Sequence, residues 1–88
     1  MQIIWDTDKN RKLLADRGLS LEVFASLILD KKYCAILKNP SRKKQKIFVI
    51  PYQNYTYVVP FLIDNKQNIV LKTVFPSRKY HKIYGGKK

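Results

Sequence analysis

The spacing of the apolar residues changes at about residue 31, and this change constrains the fold more than any other feature. Residues 1–30 carry apolar side chains at helical spacing, whereas residues 31–88 contain short runs rich in Val, Ile, Tyr and Phe, separated by turn residues. A helical first third followed by several short strands is typical of an α+β fold. We expect one small domain over residues 1–84, with residues 85–88 as a frayed tail.

Two helices are predicted in the first third of the chain. Asp6 or Thr7 is placed to cap the first helix, and Gly18 is suited to the left-handed turn that ends it. Ser20 is placed to cap the second helix, and residues 1–5 before both helices are predicted as an edge strand. The second helix has one apolar stripe at i, i+3, i+4 and i+7, which consists of Leu21, Phe24, Ala25 and Ile28.

Four strands are predicted after the helices, over residues 33–37, 46–50, 55–63 and 68–75. Their short connections favour an antiparallel meander. Pro60 has no backbone N–H, so it predicts a bulge or an unpaired edge within the third of these strands. In the last strand Leu71 is expected on one face, and Lys72 and Val74 on the other. We therefore predict two layers, in which two N-terminal helices pack on one face of a small antiparallel sheet and leave the other face solvated, concave or occupied by a ligand.

Charge is divided unevenly along the chain. Residues 1–30 carry four basic residues against five acidic ones, a formal charge of −1, whereas residues 31–88 carry fourteen basic residues against Asp64 alone, a formal charge of +13. Like charges at this density repel one another and lower stability. A polyanion that neutralises the second part explains the distribution most simply. A nucleic acid, an acidic protein, or both in turn are therefore the expected partners.

Several classes of protein are disfavoured by the sequence. No basic segment with a long apolar run opens the chain, and no apolar run approaches the roughly 20 residues of a membrane span, so we expect a cytoplasmic protein without membrane association. The single cysteine, Cys34, lies in an apolar run and is expected as a buried, reduced thiol. The sequence has neither a glycine-rich phosphate loop nor His and Cys at metal-ligand spacing, so we expect no cofactor and no metal.

Three basic groups are candidate RNA-binding segments. The first connects the first two strands of the meander, the second is a lysine alone in an apolar strand, and the third follows the last strand. One basic run is commonly a solvated loop, but three groups without nearby acids favour contacts with phosphate. The residues assigned to RNA binding are Arg42, Lys43, Lys44, Lys72, Lys79, Tyr80 and Lys82.

Aromatic residues are interleaved with these basic groups, and stacking of a base on an aromatic ring is worth roughly 1–3 kcal/mol. Tyr55 and Tyr57 fit a half-buried sheet equally well, because tyrosine has high β propensity.

His81 is the only histidine, and histidine is the side chain suited to proton transfer near neutral pH. The alternative interpretation of His81 is an exposed tail residue without a catalytic role. The basic part has no carboxylate pair to hold two metal ions. RNA cleavage would then require attack by the 2′-hydroxyl on the adjacent phosphate, with cations stabilising the developing charge.

Two segments resemble the BrnT-like toxins. Residues 5–10 (WDTDKN), followed by residues 17–22 (RGLSLE), resemble their opening, and residues 72–79 (KTVFPSRK), with Tyr84 downstream, resemble their end. These toxins have a RelE-like fold and belong to bacterial type II toxin–antitoxin pairs. The resemblance implies a metal-independent endoribonuclease that arrests translation and is neutralised by a cognate acidic antitoxin. It leaves open whether the ribosome takes part.

The resemblance also implies site residues by position. Arg78 and Lys79 match the Arg-Lys pair after the last strand, and Lys46 falls where basic residues of the first hairpin line the sheet, as does Arg42. The chain departs from the pattern at residues 75–76, where Phe-Pro replaces a step of small residues, and at residues 81–82, where His-Lys replaces a frequent acid. We predict that Arg78 and Lys46 stabilise phosphate charge, and that protons are transferred by Tyr84 or by His81, a candidate peculiar to this chain. The predicted catalytic set is Arg78, Lys46, His81 and Tyr84.

Two other functions are compatible with the same sequence. A non-catalytic RNA- or ribosome-binding module would bind RNA in a salt-dependent way and leave it intact. A protein-interaction domain, including an inactive toxin homologue, would bind an acidic partner and would not bind RNA at physiological salt.

Overall fold

The computed structural model describes residues 2–85, which form an α+β fold with three helices and one six-stranded sheet. The sheet order is β1-β5-β4-β3-β2, and β6 also pairs with β4. The elements in chain order are β1 (Ile3–Trp5), α1 (Thr7–Arg17), α2 (Leu21–Leu29), β2 (Ala35–Lys38), β3 (Lys46–Tyr52), β4 (Tyr55–Ile63), β5 (Ile69–Leu71), β6 (Phe75–Pro76) and α3 (Arg78–Tyr80), followed by a π-helical turn over His81–Gly85.

The predicted meander is present as β2 to β5, and its neighbouring strands are antiparallel. The sheet as a whole is mixed, because β1 pairs parallel with β5, with Ile3 opposite Ile69. β1 lies at one edge of the sheet, so among the described strands it pairs only with β5. The two helices then carry the chain to β2 at the other edge. Gly85 closes the π-helical turn, and the rest of the tail predicted as frayed, residues 86–88, lies outside the described residues.

The predicted limits of the two N-terminal helices are confirmed. The Asp6 carboxylate accepts hydrogen bonds from two backbone N–H groups in the first turn of α1, and Gly18 ends this helix in the left-handed region at φ 67°. Ser20 caps α2, and Asn10 Oδ1 accepts a 2.7 Å hydrogen bond from the N–H of Leu21, which ties the two helices together. Among residues 2–85 no helix is long and apolar enough to cross a membrane.

The larger apolar cluster joins α2 to the sheet. The predicted stripe of α2 is buried, whereas α1 has no buried residue within its bounds and contributes only a partly buried Leu13. Phe24 is fully buried, with its ring 5.0 Å from that of Tyr52 and 5.5 Å from that of Tyr57. The buried members of this cluster are Leu21, Phe24, Ala25, Ile28, Phe48, Ile50, Val59, Phe61, Leu71 and Val74.

A smaller apolar cluster lies under the C-terminal segment. Ile47, Val49 and Val58 are buried, and Tyr80 and Tyr84 pack against them. The second face of the sheet is therefore covered by the chain itself over these residues. The physical reason is that apolar side chains of two neighbouring strands meet there, and a sheet face of this kind requires cover from water.

The last predicted strand is broken in two. β5 ends at Leu71, and β6 returns to β4 at Phe75. Leu71 and Val74 are both buried in the larger cluster, so the prediction that they face opposite sides of one continuous strand is wrong. The break lies beside Pro60, which has no N–H to offer a continuing strand. Only the Pro60 carbonyl is engaged, and it accepts a 2.8 Å hydrogen bond from the N–H of Lys72.

Candidate nucleic-acid interface

An open groove of about 610 Å³ lies between the β2–β3 loop, the break between β5 and β6, and α3. Four cationic side chains from four separate parts of the chain line it, and none of the described residues that line it is Asp or Glu. We call this surface the cationic groove. Its cations are Lys9 of α1, Arg42 of the β2–β3 loop, Lys72 of the break and Lys79 of α3.

The floor of the cationic groove is apolar and partly aromatic. Ile47 and Val58 are buried beneath it, and Phe75 and Tyr80 present accessible rings. The Lys79 Nζ atom lies 5.3 Å from the centre of the Tyr80 ring, within the range of a cation–π contact. Cations around accessible aromatic rings are the combination that binds single-stranded nucleic acid, because phosphates and bases then both find partners.

Lys72 lies at the break beside Pro60 and lines the cationic groove. It follows Leu71, which is buried in the larger cluster, and strand alternation puts its side chain on the other face, where Ile47 and Val58 line the groove. The Lys72 side chain is half-buried, and Thr73 beside it also lines the groove. A half-buried ammonium group interacts more strongly with an approaching anion than an exposed one, because less solvent screens it.

Sequence reasoning missed Lys9 and Phe75 as groove residues. Lys9 lies in the first third of the chain, whose net charge is close to zero, so counting charges gave no indication of a basic site there. Phe75 was noted only as a departure from the toxin pattern. The one available signal for Lys9 was its place in residues 5–10, where the Asp6 and Asn10 side chains cap the two helices and Lys9 contributes only its backbone N–H to a cap.

Within residues 2–85 no ion pair compensates the cations of the cationic groove, and the carboxylate that shares a neighbouring cavity with Lys9 and Lys72 is that of Asp16. The single ion pair within residues 2–85 joins Arg11 Nη1 to Asp8 Oδ1 at 3.4 Å, on the exposed surface of α1. Asp64, the one acid after residue 31, accepts hydrogen bonds in the β4–β5 turn. The backbone N–H of Asn68, followed by that of Lys66, lowers the pKa of the Asp64 carboxyl. This acid is therefore engaged in a turn and does not line the groove.

A second cavity, of about 520 Å³, lies at the β3–β4 turn and contains His81. His81 Nδ1 is 3.0 Å from the Thr56 hydroxyl oxygen, and the imidazole stacks on Tyr55 with ring centres 4.3 Å apart. Thr56 is almost fully buried, with 1% of its surface exposed. Tyr84 also lines this cavity. The arrangement fixes the imidazole in the fold, so His81 is not a free tail residue.

Cys34 is exposed, and the prediction of a buried thiol is wrong. The residue precedes the edge strand β2, and its N–H donates a 2.7 Å hydrogen bond to the carbonyl of Val49. Val49 also pairs with Ala35 in the β2–β3 ladder, so two consecutive residues, Cys34 and Ala35, lie opposite one residue of β3. The side chain of Cys34 then lies at the rim of the second cavity rather than in the core.

The predicted site residues are distributed over three cavities. Four of them line the cationic groove, namely Arg42, Lys72, Lys79 and Tyr80. His81 and Tyr84 line the second cavity, and Lys43, Lys44 and Lys46 line a third, of about 400 Å³, at the β2–β3 loop. Arg78 and Lys82 are exposed and line none of the three. The four residues predicted as catalytic thus share no single cavity, and their roles stay predictions.

Comparison with solved structures places the chain in a class of small α+β folds. The ribonuclease toxin BrnT of Brucella abortus has a similar fold, with a TM-score of 0.64 and 15% sequence identity, over 88% of this chain and 96% of that chain. No protein-family model matches the chain, and no curated protein matches it in sequence. The chain therefore has a BrnT-like fold, and at this identity the similarity concerns the fold alone.

Proposed function

We propose that this protein is the toxin of a type II toxin–antitoxin pair, an endoribonuclease that cleaves RNA in the cationic groove and arrests translation in the cytoplasm. The observation that carries the proposal is the convergence on one groove of four cations that form no ion pair within residues 2–85, over a partly aromatic floor and with no acid among the described lining residues. The BrnT-like fold supports it, because the similar solved structure is that of a ribonuclease toxin.

The proposed reaction needs no metal. The 2′-hydroxyl of the substrate attacks the adjacent phosphorus, the new O2′–P bond replaces the P–O5′ bond, and the products are a cyclic phosphate and a free 5′-hydroxyl. Arg42 can hold two phosphate oxygens at once, and the half-buried Lys72 adds a point charge where negative charge develops. A base takes the 2′-hydroxyl proton, and an acid returns a proton to the leaving oxygen.

Proton transfer is assigned to Tyr80 within the cationic groove. Its ring lines the cationic groove, and Lys79 Nζ lies 5.3 Å from the centre of that ring. The alternative is His81 or Tyr84, which requires the RNA to reach the second cavity as well. We further propose that a cognate acidic antitoxin masks the cationic groove by charge complementarity.

The function is tested by expressing the chain in a bacterium without its antitoxin. The parent is compared with a variant that combines Arg42→Gln and Lys72→Gln, and with a control that combines Lys31→Gln and Lys32→Gln, which has the same net charge. The parent and the control are expected to stop growth and to create new RNA 5′ ends within minutes, whereas the groove variant does neither. Growth arrest by a folded groove variant would refute the site.

A non-catalytic RNA-binding module is the second candidate. The observation that favours it is the separation of His81 from the cationic groove, which leaves the groove without the side chain best suited to proton transfer. Purified protein distinguishes the two functions. Salt-dependent binding of RNA that stays intact after long incubation would support the binding module and contradict the nuclease.

A further inference from the structure

The β2–β3 loop carries a second set of cations on the side that faces away from the cationic groove. A cavity of about 400 Å³ is lined there by four lysines, which we call the lysine cluster. This cavity shares the loop residues Asn39, Pro40 and Gln45 with the cationic groove, so the two are adjacent. Lys46 precedes Ile47 of the groove floor in β3, so strand alternation points the two side chains to opposite sides. The lysine cluster consists of Lys38, Lys43, Lys44 and Lys46.

The lysine cluster is electrostatically unfavourable in the free protein. Lys38 and Lys46 lie directly opposite each other in the β2–β3 ladder, and like charges in that position destabilise a sheet. Within residues 2–85 no carboxylate forms an ion pair with any of the four lysines. A bound anion would remove this repulsion, which lowers the stability of the free protein.

The loop that separates the two sets of cations is held by its own hydrogen bonds. The side-chain amide of Asn39 donates to Gln45 Oε1 at 3.3 Å, and the backbone N–H of Asn39 donates to the Gln45 carbonyl at 3.1 Å. Asn39 Oδ1 also accepts a hydrogen bond from the N–H of Ser41 at 2.9 Å. The lysines are therefore presented from an organised loop, which lowers the entropy lost when an anion binds.

The chemistry of the lysine cluster fits phosphates rather than a protein surface. The described residues that line it include no large apolar side chain, whereas the centre of a protein interface is apolar and depleted in lysine. Lysine ammonium groups act as point charges that bind phosphate without reading sequence. The cationic groove is adjacent, so one RNA strand bound in the groove can continue across the β2–β3 loop to the lysines.

We propose that the lysine cluster binds phosphates of the same RNA strand whose cleaved part lies in the cationic groove, so that the RNA passes over the β2–β3 loop. This inference rests on the proposed function and deepens it. The lysine cluster then supplies sequence-independent affinity and requires a substrate long enough to reach both sides of the loop.

The test measures the affinity of the full chain for 2′-O-methyl oligoribonucleotides, which cannot be cleaved by attack of a 2′-hydroxyl. Lengths run from about four to about sixteen nucleotides, the range that single-stranded sites commonly occupy. The cluster variant combines Lys38→Gln, Lys43→Gln and Lys44→Gln, and leaves Lys46 unchanged because the toxin resemblance gives it a catalytic role. The control combines Lys31→Gln, Lys32→Gln and Lys66→Gln, which removes the same charge elsewhere.

For the long oligonucleotides, the cluster variant is expected to bind at least tenfold more weakly than the control, with a salt dependence shallower by about two units. For the shortest oligonucleotide, the two variants are expected to bind equally. Equal binding of the long oligonucleotides by both variants would overturn the lysine-cluster site and leave the proposed function standing. Failure of the parent protein to bind any length would overturn both.

Discussion

The N–H of Lys72 donates a hydrogen bond of 2.8 Å to the carbonyl of Pro60, and this bond marks the point where the chain leaves β4. On one side of it β5 pairs with β4, and on the other β6 does. Pro60 is buried and aligned with Ile47 of β3, so its ring is held in the sheet while its missing N–H faces the break. Pro60 itself lines the cationic groove at this break.

Replacing this proline should damage both stability and RNA binding. Pro60→Ala restores an N–H that points into the break, where a buried donor without a partner costs about 1–3 kcal/mol. Pro51→Ala, at an exposed position of β3, is the matched control and should change the free energy of unfolding by less than about 1 kcal/mol. Urea unfolding and RNA affinity measure the two effects. Unchanged values for Pro60→Ala would show that the break has another cause.

The proton donor or acceptor can be identified with ring-preserving variants. Tyr80→Phe keeps the packing on Ile47, Val49 and Val58 and removes only the hydroxyl, so we expect RNA cleavage to fall by about 10²-fold or more while RNA affinity is retained. His81→Phe keeps an aromatic ring on Tyr55 and should retain most of the activity. The opposite ranking in single-turnover cleavage would assign proton transfer to the second cavity.

Two arginines distinguish the groove from the site that the toxin resemblance implies. Arg42 lines the cationic groove, whereas Arg78 is exposed at the start of α3 and lines none of the three cavities. We expect Arg42→Ala to reduce cleavage by about 10²–10³-fold, as loss of one donor to a transition-state oxyanion does, and Arg78→Ala to have a smaller effect. Loss of toxicity in Arg78→Ala with activity retained in Arg42→Ala would instead place the reaction at the C-terminal segment.

The buried ring of Phe24 is expected to contribute most to the core. Its side chain has no exposed surface and contacts the rings of Tyr52 and Tyr57, so Phe24→Ala should lower the free energy of unfolding by about 3–5 kcal/mol. Val23→Ala, on the exposed side of the same helix, should change it by less than about 0.5 kcal/mol. Urea denaturation of both variants measures the difference, and equal effects would contradict the assigned burial.

The Asp64 turn should make stability depend on acid pH. Hydrogen bonds, chiefly from the N–H of Asn68, lower the pKa of the Asp64 carboxyl in the folded state. A lowered folded-state pKa means that the stabilisation is complete above the unfolded-state pKa of about 3.9 and is lost as pH falls through the folded-state pKa. Asp64→Asn should therefore be less stable than the parent at pH 7, and the difference should shrink below about pH 4. A difference that grows in acid would contradict this prediction.

Local signals in the sequence were sufficient to predict the limits of α1 and α2 and the positions of most of the strands. Asp6, Gly18 and Ser20 set the helix limits because capping depends on residues adjacent in the chain. The spacing of apolar residues likewise placed β2 to β5, and the charge count located the basic part. The resemblance of residues 5–10 and 17–22 to BrnT-like toxins predicted the fold for the same reason, since Asp6 and Asn10 in those segments cap the helices.

The candidate site is formed by residues that are far apart in the chain, and no local sequence pattern predicts contacts between such residues. The sequence by itself determined that the second part is strongly basic, but only the tertiary structure brought Lys9 beside Arg42 and Lys72. Only the tertiary structure likewise put His81 in a different cavity, although it is next to Tyr80 in sequence. The physical reason is that caps and periodicity act over a few residues, whereas a groove is formed where separate elements meet, and sheet pairing decides which elements those are.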